Sequence, residues 1–215
     1  EAHLYANFLS NTELVPPLLC LVVSGGHTSL ILLKDHLEYE IMGTTRDDAA
    51  GEAFDKIARV LGLPYPGGPA LEELASQGDP QAVHFPRAWL SKDSLEFSFS
   101  GLKTAVMNYM RDKQGNEEVV SLPDVAASFQ AAVVEVLVVK TILAAKKSGV
   151  RDVCLAGGVA ANSTLREQFQ RAADQEGLRF YFPEKKLCTD NAAMVACAGY
   201  FHYLAEEFGT LAQEA

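Results

Sequence analysis

Hydrophobic residues near the start of the chain are concentrated in three short runs. The runs cover residues 18–23, 28–33 and 37–42, and they are separated by Gly25-Gly26 and by Lys34-Asp35. Short apolar runs bounded by turn residues are typical of β-strands joined by tight connections. The pattern therefore predicts three consecutive strands, and the first, which is apolar throughout, is expected to be buried.

From Asp47 onward the hydrophobic period changes to that of a helix. Apolar residues recur at three- and four-residue intervals up to Leu61, and Gly62 follows as a stop signal. Residues 79–99 lack such a period and are expected to be irregular, ordered only by tertiary contacts. The predicted helices cover 50–61, 71–75, 124–147, 162–175 and 191–204, and the predicted later strands cover 151–155 and 179–182.

The order of these elements indicates an α/β layered domain, because three meandering strands are followed by alternating helices and strands. This order matches half of the fold shared by sugar kinases, actin and Hsp70. The match is an analogy of fold, and a fold does not fix a reaction. The 215 residues suffice for one hydrophobic core, or for one core and a remnant of a second.

Charge, cysteine content and the lengths of the apolar runs indicate which kinds of protein the sequence is compatible with. The formal net charge of −10 argues against a free-standing nucleic-acid binder, whose affinity normally comes from Lys and Arg on phosphates. The four cysteines lack paired metal spacing, so small buried hydrophobes in a reducing cytoplasm are expected. No apolar run reaches the roughly 20 residues of a membrane span, and no signal peptide is expected.

Two glycine pairs at strand ends carry the first candidate chemistry. Glycine lets backbone N–H groups approach an anion closely. The first pair alone favours an ordinary hairpin turn, but a second pair that opens a helix favours a nucleotide cleft. For Asn162, helix capping and a ligand contact are equally good explanations. The residues concerned are Val22, Val23, Ser24, Gly25 and Gly26, then Gly157, Gly158 and Asn162.

Three carboxylates form a second cluster. Asp48, Glu52 and Asp55 are spaced three or four residues apart and are expected to share one face of a helix. Most carboxylates with this spacing are solvated, and Lys56 and Arg59 could neutralise them here.

Three further positions remain ambiguous on local evidence. Gly68 lies in the rigid turn Tyr65-Pro66-Gly67-Gly68-Pro69, which could hold a ligand or merely connect two elements. Asp190 is well placed as the N-cap of the last helix. His3 is a lone histidine, and lone histidines are seldom metal ligands. One His and one Asp are too few for a complete protein metal site.

Six linked motifs together give a specific resemblance. The motifs VSGGHTSL, DDAAGEAFDK, YPGGP, FSFSGLKTA, AGGVAANSTLR and CTDNAAM occur in the order and spacing of the TsaD/YgjD family, once called glycoproteases. The resemblance implies an actin-like ATPase fold of two lobes. It also implies transfer of threonylcarbamoyl from threonylcarbamoyl-AMP to N6 of adenosine-37 in tRNAs that read codons beginning with A.

The resemblance assigns roles to individual residues. Residues 22–26 resemble the family's substrate-binding loop, and Asp55, Gly68 and Asn162 match positions that contact the nucleotide. Asp190 matches a metal ligand, and His3 matches the second histidine of a His-x-x-x-His metal pair. One divalent ion, iron or zinc, is therefore expected, together with threonylcarbamoyl-AMP or another adenine nucleotide. The implied partners are tRNA, TsaB-like and TsaE-like subunits, and a TsaC-like enzyme that supplies the donor.

The start of the chain departs from the family pattern. Because the sequence begins inside the metal motif, residues 1–13 are interpreted as a remnant of an N-terminal lobe. Residues 14–215 are interpreted as a ribonuclease-H-like lobe, mainly the C-terminal one, with a helical and irregular insertion at about 62–123. This chain alone is expected to be inactive. Two other functions remain open, a non-catalytic nucleotide-binding module of the actin/Hsp70 type and a metalloendopeptidase.

Overall fold

The computed structural model describes residues 1–91 and 93–209. Within them, helices lie on both sides of a single sheet. The elements in chain order are α1 Ala2–Ser10, β1 Leu18–Val23, β2 Thr28–Asp35, β3 Glu38–Thr44, α2 Ala50–Val60, α3 Gly67–Ala75, α4 Ser100–Gly115, α5 Leu122–Ser148, β4 Asp152–Ala156, α6 Ser163–Gln175, β5 Arg179–Tyr181 and α7 Ala192–Leu204.

The sheet is mixed, with the strand order β3-β2-β1-β4-β5. Strand β1 pairs with β2 in antiparallel orientation and with β4 in parallel orientation; Leu21 lies opposite Leu30 on one side and opposite Leu155 on the other. Carboxyl ends of parallel neighbours lie at one edge of a sheet. The segments that follow β1 and β4 therefore start side by side.

Alternate residues of β1 supply the two hydrophobic layers. Leu19 and Leu21 pack in a large cluster with residues of α2, α5 and α6, whereas Leu18 and Cys20 pack in a smaller cluster with residues of α1 and α7. Three of the four cysteines are buried and Cys197 is half-buried, so their prediction as small hydrophobes is confirmed. Burial on both faces explains why β1 is apolar throughout.

Helix α5 forms the main support of the sheet. Its first turn is capped by Ser121, whose hydroxyl accepts a hydrogen bond from the Asp124 N–H at 3.4 Å, and it ends at Gly149, which has a φ of 72°. By length and composition α5 could cross a membrane, but 83% of its most apolar window is buried within the protein. This burial is typical of the core helix of a globular domain.

Helices α1 and α4 were not predicted. Leu102 and Val106 of α4 are buried, and Ala105, Tyr109 and Met110 pack against the same core, so the sequence of α4 does contain a helical period, which the prediction overlooked. Both α3 and α4 lie within the proposed insertion at 62–123, and α1 lies within 1–13. The assignment of these segments to separate lobes stays a prediction.

The irregular segment before α4 is ordered by tertiary contacts, as expected. Lys140 of α5 is buried, and its ammonium group donates hydrogen bonds to the backbone carbonyls of Trp89 at 3.0 Å, Ser94 at 3.1 Å and Glu96. Charged donors to carbonyls are strong hydrogen bonds. Together with Lys147, whose ammonium group donates to the Asp93 carbonyl at 2.8 Å, Lys140 thus fixes parts of a segment that has no regular structure of its own.

Candidate functional site

The two glycine loops lie side by side at the carboxyl edge of β1 and β4. Val22 is paired with Ala156 in the sheet, and each strand runs into its glycine pair within two residues. A Cβ atom on Gly157 would lie 2.4 Å from the carbonyl oxygen of Val23, and Gly157 has a φ of 90°. Only glycine permits this approach. Both glycine pairs therefore lie at the same edge of the sheet, and the nucleotide cleft that they were expected to form stays a prediction.

The first glycine loop is held rigidly and leaves open space around its glycines. The Ser24 hydroxyl accepts hydrogen bonds from the N–H groups of Gly26 at 3.4 Å and His27 at 3.1 Å. The Ser24 carbonyl accepts a hydrogen bond from the Gly51 N–H at 3.1 Å. Among the described residues, a Cβ atom on Gly25 or Gly26 would have no neighbour within 4 Å. A ligand can therefore approach this backbone without displacing protein atoms.

The second glycine loop leads into the N-terminus of α6. Gly158 opens a short 3₁₀ turn, Gly158–Ala161, and Asn162 then caps α6, with its side-chain oxygen 2.8 Å from the Leu165 N–H. The capping explanation of Asn162 is therefore correct, although it does not exclude a contact with a ligand. The Ser163 N–H donates to a carboxylate oxygen of Glu72 at 2.7 Å. Glu72 thus joins α3 to the start of α6.

A hydrogen bond joins Asp55 of α2 to Gly67, the neighbour of Gly68 at the start of α3. A carboxylate oxygen of Asp55 accepts the Gly67 N–H at 2.8 Å, and a Cβ atom on Gly67 would lie 2.8 Å from the Asp55 Cα atom. Gly68 itself has open space around it. Gly68 lies on α3, which also carries Glu72, the residue bonded to the start of α6. Asp55 is joined to the first residue of α3, so Asp55 and Gly68 are both linked to the start of α6 through this helix.

The carboxylate cluster differs from its prediction. Asp48 precedes α2, and its carboxylate lies 2.8 Å from the ammonium groups of both Lys56 and Lys103. Burial raises the pKa of Asp48, but the hydrogen bonds from the two lysines outweigh this effect. The net result is a pKa below the ordinary range of an aspartate. Lys56 also pairs with Glu52 at 2.7 Å. Neutralisation by Lys56 is thus confirmed for Asp48 and Glu52, whereas Asp55 binds backbone instead.

His3 and Asp190 meet although 187 positions separate them along the chain. The Nε2 atom of His3 lies 3.3 Å from a carboxylate oxygen of Asp190, whose side chain is 92% exposed. Burial lowers the pKa of His3, and Asp190 only partly opposes this effect. The local interpretation of Asp190 as an N-cap is wrong: Asn191 caps α7, with its side-chain oxygen 2.9 Å from the Met194 N–H.

The His3–Asp190 pair suits a divalent ion as part of its ligand set. A neutral imidazole and an exposed carboxylate are ordinary ligands of zinc and iron. The Nδ1 atom of His3 is buried, and within 1–91 and 93–209 it has no hydrogen-bond partner. Nor do these described residues contain a group of three or more potential His, Cys, Asp or Glu ligands. Two residues fit, and the remaining ligands would have to come from elsewhere.

Arg166 connects the second glycine loop to the segment that carries Asp190. Its guanidinium group donates hydrogen bonds to the carbonyl of Ala160, to the carbonyl of Pro183 at 3.0 Å and to the Cys188 sulfur at 3.3 Å. This role of Arg166 was not predicted from the sequence. Its one sequence signal is that Arg166 ends the motif AGGVAANSTLR, which does not reveal the partners.

The family model for TsaD, described as tRNA N6-adenosine threonylcarbamoyltransferase, matches residues 1–197. The chain belongs to the TsaD family. It is 59% identical to the tRNA N6-adenosine threonylcarbamoyltransferase of Moorella thermoacetica over 99% of its length, and 52% identical to that of Clostridioides difficile over 95%. It spans 62% and 60% of those two proteins.

Solved structures show the fold. A structure of full-length HypF in its phosphate- and nucleotide-bound form matches 97% of this chain and 42% of its own, with a TM-score of 0.74 and 14% identity. The activator of a 2-hydroxyisocaproyl-CoA dehydratase from Clostridium difficile, with bound ADPNP, matches 98% and 70%, with a TM-score of 0.52 and 15% identity. The expectation of an actin-like ATPase fold is confirmed for this TsaD family member.

A separate cavity of about 590 Å³ lies between α3, α5 and α6. It is lined by Ala75, Gln130, Val134 and Thr164, among other residues, and the glycine loops do not line it. Within residues 1–91 and 93–209, none of the residues predicted as ligands from the TsaD motifs lines this cavity. Their roles as ligands stay predictions.

Proposed function

We propose that this chain carries the nucleotide-binding part, and part of the metal site, of a TsaD-type threonylcarbamoyltransferase. The reaction would transfer threonylcarbamoyl from threonylcarbamoyl-AMP to N6 of adenosine-37 in tRNAs that read codons beginning with A. The observation that carries the proposal is the meeting of the two glycine loops at one sheet edge in a chain that matches the TsaD model.

The glycine loops would bind the phosphate of the donor. Gly25 and Gly26 have open space around them, so a phosphate oxygen can come within hydrogen-bonding distance of their N–H groups. Gly158 lies on the neighbouring loop, where a Cβ atom would meet only Thr189, at 3.9 Å. Backbone N–H groups held in place before the reaction stabilise negative charge on the departing AMP. Asp55, Gly68 and Asn162 would then hold its nucleoside.

The transfer itself requires a weak nucleophile, the aromatic exocyclic amine of adenosine, to attack a mixed anhydride. The proposed route has no covalent enzyme intermediate, and the protein contributes by positioning the two substrates. When bound, an iron or zinc ion would supply a Lewis acid for the threonylcarbamoyl group. His3 and Asp190 are the residues that would hold it.

The charge of the chain supports a requirement for partners. With a formal net charge of −10, much of the surface should repel tRNA, and long-range repulsion lowers the encounter rate. TsaB-like and TsaE-like subunits would provide the missing surface in a hetero-oligomer, and a TsaC-like enzyme would supply the donor. Four thiols in buried or half-buried positions are consistent with the reducing cytoplasm in which such a complex would work.

A transfer assay tests the proposal. The complete catalytic subunit that contains this chain is combined with its partners, unmodified tRNA and ready-made threonylcarbamoyl-AMP, and modified adenosine is measured by mass spectrometry of the digested tRNA. We expect threonylcarbamoyl-adenosine only when all components are present. Salt should be varied, because screening shortens electrostatic repulsion to roughly 8 Å at physiological ionic strength.

Other outcomes of the same assay would contradict the proposal. Binding of adenine nucleotide with no effect on tRNA would indicate a non-catalytic nucleotide-binding module. Cleavage of an added glycoprotein would indicate a metalloendopeptidase. Normal turnover by the 215-residue chain alone would show that the argument for partners is wrong.

A further inference from the structure

The side-chain amide of Asn162 is held by a chain of three hydrogen bonds. Its oxygen accepts the Leu165 N–H at 2.8 Å, and its nitrogen donates to the side-chain oxygen of Gln130 at 2.8 Å. The side-chain nitrogen of Gln130 in turn donates to the hydroxyl oxygen of Thr164 at 3.0 Å. Asn162 is 7% exposed and Gln130 is 5% exposed, so water competes little for these groups.

The donor-to-acceptor direction of these three hydrogen bonds is fixed by a backbone group. The Leu165 N–H can only donate, so the Asn162 oxygen must face it and the Asn162 nitrogen must face Gln130. Gln130 must then present its oxygen to Asn162 and its nitrogen to Thr164. Neither amide can flip without placing two donors or two acceptors against each other.

The arrangement leaves one donor unused. The Asn162 amide nitrogen carries two hydrogens, and Gln130 accepts one of them. Within the described parts of the chain, 1–91 and 93–209, the second hydrogen has no acceptor. A nearly buried donor whose orientation is fixed is well suited to bind a polar group of a ligand.

We propose that Gln130 is a positioning residue, which orients the Asn162 amide so that its second N–H faces the adenine nucleotide. The proposal rests on the proposed function, because the contact between Asn162 and the nucleotide is itself part of that function. Gln130 lies on α5 and is not in any of the glycine motifs. The proposal requires that its effect on the ligand act through Asn162, with which it shares a hydrogen bond.

Three variants of the complete catalytic subunit separate positioning from packing. Gln130→Met keeps the length of the side chain but removes its acceptor. Gln130→Glu keeps an acceptor for Asn162, and the Thr164 hydroxyl can rotate to donate to the new carboxylate. Gln168→Met is a control for the change from glutamine to methionine beside the same cavity, at an exposed position that is not hydrogen-bonded to Asn162.

Calorimetric titration with ADP is the first measurement. We expect Gln130→Met to weaken ADP binding about tenfold, which is typical of one lost hydrogen bond, and Gln130→Glu and Gln168→Met to bind nearly as the wild type does. In an Asn162→Ala background, Gln130→Met should weaken binding by less than about twofold, because the group it orients is gone. Equal losses in both backgrounds would overturn the proposal.

Hydrogen exchange of the Asn162 side-chain amide, followed by NMR, is the second measurement. The exchange rate reports the orientation of the Asn162 amide in the absence of nucleotide. The NMR signal of this amide is assigned as the one that disappears in Asn162→Asp. We expect faster exchange in Gln130→Met and unchanged exchange in Gln130→Glu. Slow exchange in Gln130→Met would refute the positioning role. A wild-type protein that binds no ADP would instead contradict the proposed function and leave this second measurement to decide the orientation.

Discussion

Replacing Asp190 by alanine in the complete catalytic subunit should slow threonylcarbamoyl transfer by about a hundred- to a thousandfold. The reason is that a Lewis acid contributes several kcal/mol to a transition state, and each 1.4 kcal/mol or so corresponds to a tenfold change in rate. Asp190 is 92% exposed, so its removal should leave the fold intact. The measurement is the single-turnover rate with saturating donor, together with metal content after dialysis.

A matched replacement and a second ligand variant make this result interpretable. Asp112→Ala removes an exposed carboxylate from α4 and should transfer at the wild-type rate. His3→Ala should be as slow as Asp190→Ala, and the double variant should be little slower than either, because residues that act as a unit are not additive. Transfer by Asp190→Ala within about threefold of the wild type would show that this pair has no part in the reaction.

Replacing Gly157 by alanine should lower the free energy of unfolding by about 2–6 kcal/mol. Gly157 has a φ of 90° and a ψ of 171°, a region that is essentially restricted to glycine and costs other residues about 1–3 kcal/mol. The new methyl group would also lie 2.4 Å from the Val23 carbonyl oxygen, and such overpacking adds about 1–3 kcal/mol. Chemical denaturation measures the sum.

Gly177→Ala is the control for the energetic cost of placing alanine at a positive φ. Gly177 also has a positive φ, of 66°, but a Cβ atom there would meet nothing within 4 Å. We expect this variant to lose only about 1 kcal/mol. If Gly157→Ala is no less stable than Gly177→Ala, the close approach of the two glycine loops is not a feature of the folded protein.

The sheet and its glycine loops follow from the sequence because their signals are local. An apolar run such as LLCLVV is stable only where both faces of its strand are buried, and each glycine pair closely follows such a strand. The side-by-side position of the loops then follows from parallel pairing of β1 with β4. Periodicity, turn residues and strand direction are sufficient for this part of the site.

The connections between motifs could not be predicted in the same way. Gln130 reaches Asn162 across 32 positions, and Lys140 reaches the Glu96 carbonyl across 44. A glutamine on an apolar helix and a lysine near its middle give no sign of their partners, because hydrogen bonds between distant segments exist only after packing. The pairing of His3 with Asp190 came from the resemblance to the family, since local evidence favoured a cap for one and no role for the other.

The most direct test of the nucleotide site is to locate ADP on the protein. Titration of isotope-labelled complete catalytic subunit with ADP, followed by backbone amide shifts, reports which loops contact the ligand. We expect the largest shifts at Gly25, Gly26, Gly68 and Gly158, and little change at Gln168 or Gln175 in the cavity beside α6. Largest shifts around that cavity, with the four glycines unchanged, would contradict the central claim that the two glycine loops form the nucleotide site.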